Sequence, residues 1–211
     1  MTSATTRAQA PADVRRLGLA CATSGVLMLG VSAFTAFPPD GVPDDQWSYP
    51  QTPSQLLAIS FVLAIAHVLS AAGFLGAKRL GVAGEGRAWQ LGFAGATAGL
   101  IALAFCELLS GLIAEQPLDS DEAAIVGTLF GVSSLLFAAG AITAGIGILR
   151  ANRWSGWERW LVLATGVVIV VLVTPANATG ALMFRWVALA LWSVLFIPLG
   201  LQVTRGLRPH N

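Results

Sequence analysis

Charged side chains are scarce in this chain. Asp, Glu, Lys and Arg make up 11% of its 211 residues, whereas they make up about a quarter of an ordinary soluble domain. Hydrophobic residues make up 55%. Polar residues this few could not cover the surface of a soluble protein, and no stretch is basic enough to form a nucleic-acid-binding domain. The composition therefore predicts an integral membrane protein whose surroundings are the lipid bilayer, with no nucleic-acid partner.

Cysteine and histidine are equally rare, with two residues of each type. Cys21 and Cys106 fall at different depths of the predicted spans, too far apart for a disulfide, and we interpret them as small packing residues. His67 is the one histidine in an apolar run, because His210 lies in the C-terminal tail. A single intramembrane histidine cannot form a bis-histidine haem site, and one His with one Glu is too few for a metal cage. The sequence thus predicts no cofactor and no metal.

What the chain does contain is a series of apolar runs long enough to cross a hydrocarbon core about 30 Å thick. The predicted spans are 14–37, 55–77, 88–114, 123–149, 160–174 and 186–204. We expect an all-α, polytopic transmembrane bundle over 13–205, built as three αα-hairpins, with short cytoplasmic tails at 1–12 and 206–211. Pro175 should end or kink the fifth span, and Pro198 should kink the sixth.

The basic residues fix the expected orientation. With the N-terminus in the cytosol, eleven of the twelve Lys and Arg residues lie on the inner side, and only Arg185 lies on the outer side. Orientation follows this bias because loops rich in Lys and Arg stay cytoplasmic. The sequence therefore predicts that both termini are cytoplasmic and that the protein resides in the plasma membrane.

Spans one and three resemble each other. The stretch from Leu17 to Leu29 matches that from Leu91 to Leu103 at seven of thirteen positions, with an offset of 74. The same offset pairs Ser60 with Ser134, which indicates that the first two hairpins are copies. The third hairpin matches weakly, through Ser193–Phe196 beside Ser134–Phe137. Copies of a two-span unit share one orientation and are related by an axis along the membrane normal.

Small residues recur at helical spacing and predict where helices approach closely, since membrane helices pack through Gly, Ala and Ser. In span three this face contains Gly92 and Gly99. In span four the spacing 4, 3, 4, 3, 4 places several small residues on one face. The glycines expected to mediate packing are Gly92, Gly99, Gly127, Gly131 and Gly145.

One acid, Glu107, interrupts the third span. An ionisable group at this depth costs a few kcal/mol even on lenient insertion scales, so it is a candidate functional site. It projects roughly 60° from the centre of the small face, still on the inward side. Three partners are open to it. These are His67, Ser60 with its neighbours Cys106 and Ser110, and Arg185 reaching inward from the outer boundary.

Two functions follow from these alternatives. If Glu107 only makes an interhelical hydrogen bond, the chain is a non-enzymatic structural or accessory bundle, which is the first hypothesis. If Glu107 and His67 line a polar pocket, the chain is a small transporter or sensor for a proton or small molecule. No catalytic signature is complete, which weighs against an enzyme. A homo-oligomer or a membrane-protein partner is compatible with either hypothesis.

The outer loop Trp47-Ser48-Tyr49-Pro50, the step Cys106-Glu107-Leu108 and the turn Arg153-Trp154-Ser155-Gly156-Trp157 support one further comparison. With them, the chain resembles uncharacterised multi-pass membrane proteins that are common in high-GC Gram-positive bacteria. That resemblance implies a plasma-membrane location and brings no activity with it.

Overall fold

The computed structural model describes residues 10–207, so most of the tails expected at 1–12 and 206–211 lies outside the described residues. Within 10–207 the regular structure is helical, apart from an isolated bridge between Gln46 and Pro117. The long helices are α1 (Ala12–Thr35), α2 (Pro53–Arg79), α3 (Arg87–Leu112), α4 (Asp121–Ala151) and α7 (Leu182–Arg205), with shorter α5 (Leu161–Val168) and α6 (Thr174–Thr179). The all-α prediction is confirmed.

Six helical segments have the length and hydropathy needed to cross a membrane, which confirms the predicted number of spans. The chain reverses between consecutive segments, so 36–52, 113–120 and 180–181 all lie at one end of the bundle. We call that end the outer end and the opposite one the inner end. Thr52 and Gln55 form a capping box that starts α2 at the outer end, and Ser120 caps α4 there.

The fifth span is longer than the sequence suggested. It runs from Gly156 to Thr179 and joins a 3-10 turn, α5, a π-helical turn (Ile169–Val173) and α6. Pro175 lacks an N–H, and its ring would collide with the carbonyl four residues earlier in a regular α-helix. The wider turn directly before Pro175 accommodates that ring. The expected end at 174 is therefore corrected to Thr179, where Gly180 adopts a φ of 66° and ends the helix.

The spans form a closed ring. α1 packs against α2, α2 against α3, α3 against α4, α4 against α5, α5 against α7, and α7 against α1. Four rings fill the centre, and we call them the aromatic layer: Phe74, Phe137, Trp192 and Phe196. Their centroids are 4.9–6.5 Å apart, and three of the four contacts are edge-to-face, a geometry that aromatic pairs favour.

Glycine allows two helix pairs to approach until their backbones touch. A Cβ on Gly92 would lie 2.7 Å from the backbone nitrogen of Ala144, and one on Gly99 would lie 2.5 Å from that of Phe137. A Cβ on Gly18 would likewise lie 2.6 Å from the carbonyl oxygen of Gly200. Side chains at these positions would force α3 from α4, or α1 from α7.

These two contacts use corresponding residues. A Cβ on Gly200 would meet Ala22 N and Gly18 O, and a Cβ on Gly140 would meet Ala96 N and Gly92 O. Ala22 and Ala96 are 74 residues apart, as are Gly18 and Gly92. The α1–α7 contact and the α3–α4 contact are therefore built from the same pattern of small residues.

Other predicted packing glycines behave differently from one another. Gly145 lies against α5, where a Cβ would be 2.6 Å from Leu163 Cα. Gly131 is exposed and has open space around its missing Cβ, and Gly127 has only the Trp47 ring, 3.9 Å away. The structure thus corrects the expectation that Gly127 and Gly131 mediate helix packing. The reason lies in span five: beyond its π-helical turn, α6 packs against α7 and leaves the outer part of α4 uncovered.

The inner end is held by contacts between loops and helix ends. The Arg153 guanidinium donates a hydrogen bond of 2.9 Å to the carbonyl of Gly81. Arg150 lies over the ring of Trp89 at 5.3 Å from its centroid. Arg79 forms an exposed ion pair with Asp13. The first contact joins the connection between α2 and α3 to the segment after α4, the second joins α4 to α3, and the third joins α2 to α1.

Candidate functional site

Glu107 lies at the centre of the buried side of α3. At about 100° per residue, its direction falls between those of buried Leu100, Leu103 and Gly111. The exposed side chains of Phe105 and Leu109 point to the opposite side of the helix. Glu107 therefore faces the interior of the bundle, although its side chain keeps intermediate exposure. The neighbouring helices therefore do not cover this inward-directed side chain completely.

No residue within 10–207 forms a hydrogen bond or an ion pair with the Glu107 carboxylate. Water is absent from the hydrocarbon core, so a carboxylate without a partner is costly there. A packing role would be served by a hydrogen bond to a neighbouring helix. The side chain instead stands inside the bundle with its oxygen atoms available.

Ser60 is the polar side chain of α2 that faces this part of α3. A Cβ on Gly111, one turn outward from Glu107, would lie 3.2 Å from Ser60 Cβ. Ser60 is 1% exposed, and its hydroxyl has no hydrogen-bond partner in the described structure. It lies about one helical turn, or roughly 5 Å, from the level of Glu107.

Ser110 and Cys106 are engaged elsewhere. The Trp47 indole N–H donates a hydrogen bond of 2.8 Å to Ser110 Oγ. Cys106 Sγ lies 3.6 Å from Ser133 Oγ on α4. These two residues are close to Glu107 in the chain, but the Ser110 hydroxyl is bonded to the outer loop and the Cys106 thiol lies against α4.

Arg185 occupies on α7 the place that Glu107 occupies on α3. Buried Ala188, Trp192 and Phe196 share its side of the helix, and exposed Val187 and Leu191 lie on the other side. Its side chain has intermediate exposure. The structure gives its guanidinium no hydrogen bond and no ion pair among residues 10–207. α3 and α7 do not pack along each other, so the two charges face the interior from separate walls.

His67 lies deeper, against the aromatic layer. It is 4% exposed, and its ring centroid is 5.9 Å from that of Trp192. Nδ1 lies 2.7 Å from the carbonyl oxygen of Leu63. A carbonyl only accepts, so Nδ1 carries the hydrogen of this contact. His67 is seven residues inward from Ser60, which is about 10 Å along the helix. It therefore forms part of the floor beneath Ser60.

Sequence reasoning missed two polar residues in the outer loop. Ser48 and Gln51 are 2% and 4% exposed, and neither Ser48 Oγ nor Gln51 Oε1 has a partner in the described structure. The loop is drawn inward by hydrogen bonds from Ser48 N to Ala114 O (3.1 Å) and from Gln51 Nε2 to Thr35 O (3.4 Å). The prolines of this loop predicted stiffness, and nothing in its sequence marked it as buried.

Buried polar atoms without partners thus gather at the outer end: Ser48 Oγ, Gln51 Oε1 and Ser60 Oγ. Such atoms are rare in folded proteins, and ordered water or a ligand usually satisfies them. Among the described residues, no group of three or more His, Cys, Asp or Glu side chains is placed to hold a metal ion. The outer end thus contains three buried acceptors whose hydrogen-bonding capacity is unused within the described residues.

Comparison with known proteins adds no assignment. No family model, curated protein or solved structure matches the chain. The geometry of this site and the six apolar helices are therefore the basis on which a function can be inferred.

Proposed function

We propose that this chain is a plasma-membrane protein that binds a small polar solute in the outer half of its helical bundle, as a transporter or a sensor. The observation that carries the proposal is the position of Glu107, which is directed inward on α3, accessible and without a partner. Ionisable residues that face the interior of a membrane bundle commonly mark a solute or proton pathway.

The simpler hypothesis of a structural bundle has less support. It assigns Glu107 the task of fixing how α2 and α3 pack, and that task requires a hydrogen bond between the helices. Ser60 is the nearest candidate, and its hydroxyl has no partner in the described structure. The close contact between these helices comes from Gly111 against Leu57 and Ser60, which needs no carboxylate.

We further propose that both termini are cytoplasmic and that the first two hairpins are copies of one unit. The distribution of Lys and Arg supports the orientation. The seven identities between Leu17–Leu29 and Leu91–Leu103, and the pairing of Ser60 with Ser134 at the same offset, support the repeat. Parallel repeats of this kind occur in transporters, where substrate sites lie between the repeats.

The experiment measures water access to Glu107 without knowledge of the solute. A parent carrying Cys21→Ala and Cys106→Ala receives Glu107→Cys, and intact cells are treated with a membrane-impermeant, charged thiol reagent. We expect Glu107→Cys to be labelled from outside. Leu109→Cys should stay unlabelled, because Leu109 is nearer the outer end but faces lipid, where a thiol does not ionise.

Three further variants complete the design. Asp44→Cys in the outer loop should label and Glu85→Cys in the inner loop should not, which tests the orientation. Ser60→Cys, a nearly isosteric change beside Glu107, serves if Glu107→Cys fails to accumulate. The proposal is wrong if Glu107→Cys and Ser60→Cys are both inert while Asp44→Cys reacts.

A further inference from the structure

Glu107 and Arg185, two opposite charges near the outer end of the bundle, share three properties. Each lies at the centre of the inward side of its helix, each is partly accessible, and each lacks an ion pair among residues 10–207. Counted along their helices, Glu107 is about 7.5 Å from the outer end of α3 and Arg185 about 4.5 Å from the outer end of α7. The two opposite charges are therefore both directed toward the interior of the bundle, at similar distances from the outer ends of their helices.

An isolated carboxylate at the depth of Glu107 is unfavourable, and the inward-directed Arg185 guanidinium also lacks a partner among residues 10–207. A bound cation would neutralise Glu107 and leave Arg185 alone. A bound anion would do the reverse. A solute with one positive and one negative group pairs with Glu107 and Arg185 at the same time, and it adds no net charge to the membrane interior.

We propose that the solute of this site is a small zwitterion, with its ammonium group at Glu107 and its carboxylate at Arg185. This inference rests on the proposed solute-binding function and specifies the chemistry of the same site. A guanidinium recognises a carboxylate through two parallel N–H···O hydrogen bonds. An ammonium group has three N–H donors, and Glu107 supplies acceptors for it.

The polar atoms near Glu107 are of the kind that would bind the ammonium end of the solute. Ser60 Oγ lies within about a turn of Glu107 and has no hydrogen-bond partner, and Gln51 Oε1 and Ser48 Oγ are further unpartnered acceptors at the outer end. Acceptors are what an ammonium group needs. Hydrogen-bond acceptors without partners thus lie on α2 and on the outer loop.

The aromatic layer limits the size and the route of the solute. His67 and Trp192 are in ring contact below Ser60, and both are at least nine-tenths buried. Phe74, Phe137 and Phe196 close the centre of the ring beneath them. A solute therefore enters from the outer end and rests above this floor.

The test measures the melting temperature of the purified full-length chain in lipid nanodiscs. Three types of small molecule are added: zwitterions, a compound with only an ammonium group and a compound with only a carboxylate. The zwitterions are glycine, L-alanine and L-leucine. Leucinamide retains only the ammonium group, and 4-methylpentanoate retains only the carboxylate. We expect at least one zwitterion near 100 times its Kd to raise the melting temperature by roughly 5 °C or more. The single-charge probes should give less than half of that shift.

Two variants assign the ends of the solute. Glu107→Gln should abolish the shift by the zwitterion and by leucinamide, and should leave the response to 4-methylpentanoate intact. Arg185→Gln should abolish the responses to the zwitterion and to 4-methylpentanoate only, and Arg185→Lys should restore part of them. If a variant does not fold, protection of Ser60→Cys from the thiol reagent by the zwitterion is measured instead.

The outcomes separate this inference from the proposed function. If Glu107→Cys labels from outside but no zwitterion shifts the melting temperature or protects Ser60→Cys, the zwitterion is wrong and the solute-binding function stands. The same holds if leucinamide acts as strongly as leucine and Arg185→Gln changes nothing, which indicates a cation site. If Glu107→Cys and Ser60→Cys are both inaccessible, both proposals fail together.

Discussion

Gly140→Leu should prevent assembly of the bundle, whereas Gly131→Leu should leave its melting temperature within about 3 °C of the parent. A Cβ at Gly140 would fall on the backbone nitrogen of Ala96 and 2.7 Å from the carbonyl oxygen of Gly92. These are backbone atoms of α3, and rotamer changes cannot move them. A leucine there separates α3 from α4 and opens the contact along its whole length, at a cost of more than about 3 kcal/mol.

Gly131 is a closely matched control for this change. It lies on the same helix, carries the same substitution and is exposed with nothing within 4 Å of its missing Cβ. Helix propensity improves equally at both positions, so the difference between the variants reports on packing. The measurement is the temperature at which half of the purified protein loses its monodisperse gel-filtration peak. Equal values for the two variants would refute the assigned α3–α4 contact.

The same glycines show what the sequence could and could not predict. Spans follow from apolar runs that end at charged loops, so their number was predictable from one chain. Which small residues contact a neighbouring helix was not predictable, because that depends on the path of the other helix. Gly131 has the expected spacing but loses its neighbour where α6 leaves α4 after the π-helical turn. Gly140, absent from the expected set, makes one of the tightest contacts.

The repeat illustrates a similar limit. Sequence alignment set Ser193–Phe196 beside Ser134–Phe137, an offset of 59. The glycine contacts instead relate Gly200 to Gly140, an offset of 60. In low-complexity apolar helices, a shift of one residue changes few identities, yet it rotates the helix by about 100°. Packing discriminates between the two registers far more strongly than identity does.

The candidate site was partly predictable for a physical reason. A charge in an apolar run is so costly that its inward direction can be expected from sequence, and both Glu107 and Arg185 are directed inward. The absence of partners could not be expected, because single-sequence reasoning assigns a partner by depth alone. Ser110 is at a suitable depth, but Trp47 from the outer loop takes its hydroxyl. That hydrogen bond depends on a loop fold with no recognisable signal.

Phe137→Ala should lower the melting temperature by about 5–10 °C, the second largest effect expected in this chain. Phe137 is fully buried and contacts three rings, with centroid distances of 5.5 Å to Phe74, 5.6 Å to Trp192 and 6.5 Å to Phe196. In a soluble protein, this truncation would cost about 3–5 kcal/mol from lost transfer energy and from the cavity. In a membrane the contribution from transfer out of water is largely lost. If α4 separated from its neighbours, the ring of Phe137 would be surrounded by lipid and not by water.

The cavity and the lost dispersion contacts remain. Removing about 100 Å³ at about 24 cal/mol per Å³ costs roughly 2–3 kcal/mol, which sets the expected fall in melting temperature. Phe105→Ala is the matched control, because this ring is 63% exposed and faces away from Glu107 toward lipid. Acyl chains fill the space that it leaves, so its change should stay below about 0.5 kcal/mol. If the two alanine variants melt together, the aromatic layer is not the centre of the bundle, and the floor assigned to the solute site is lost with it.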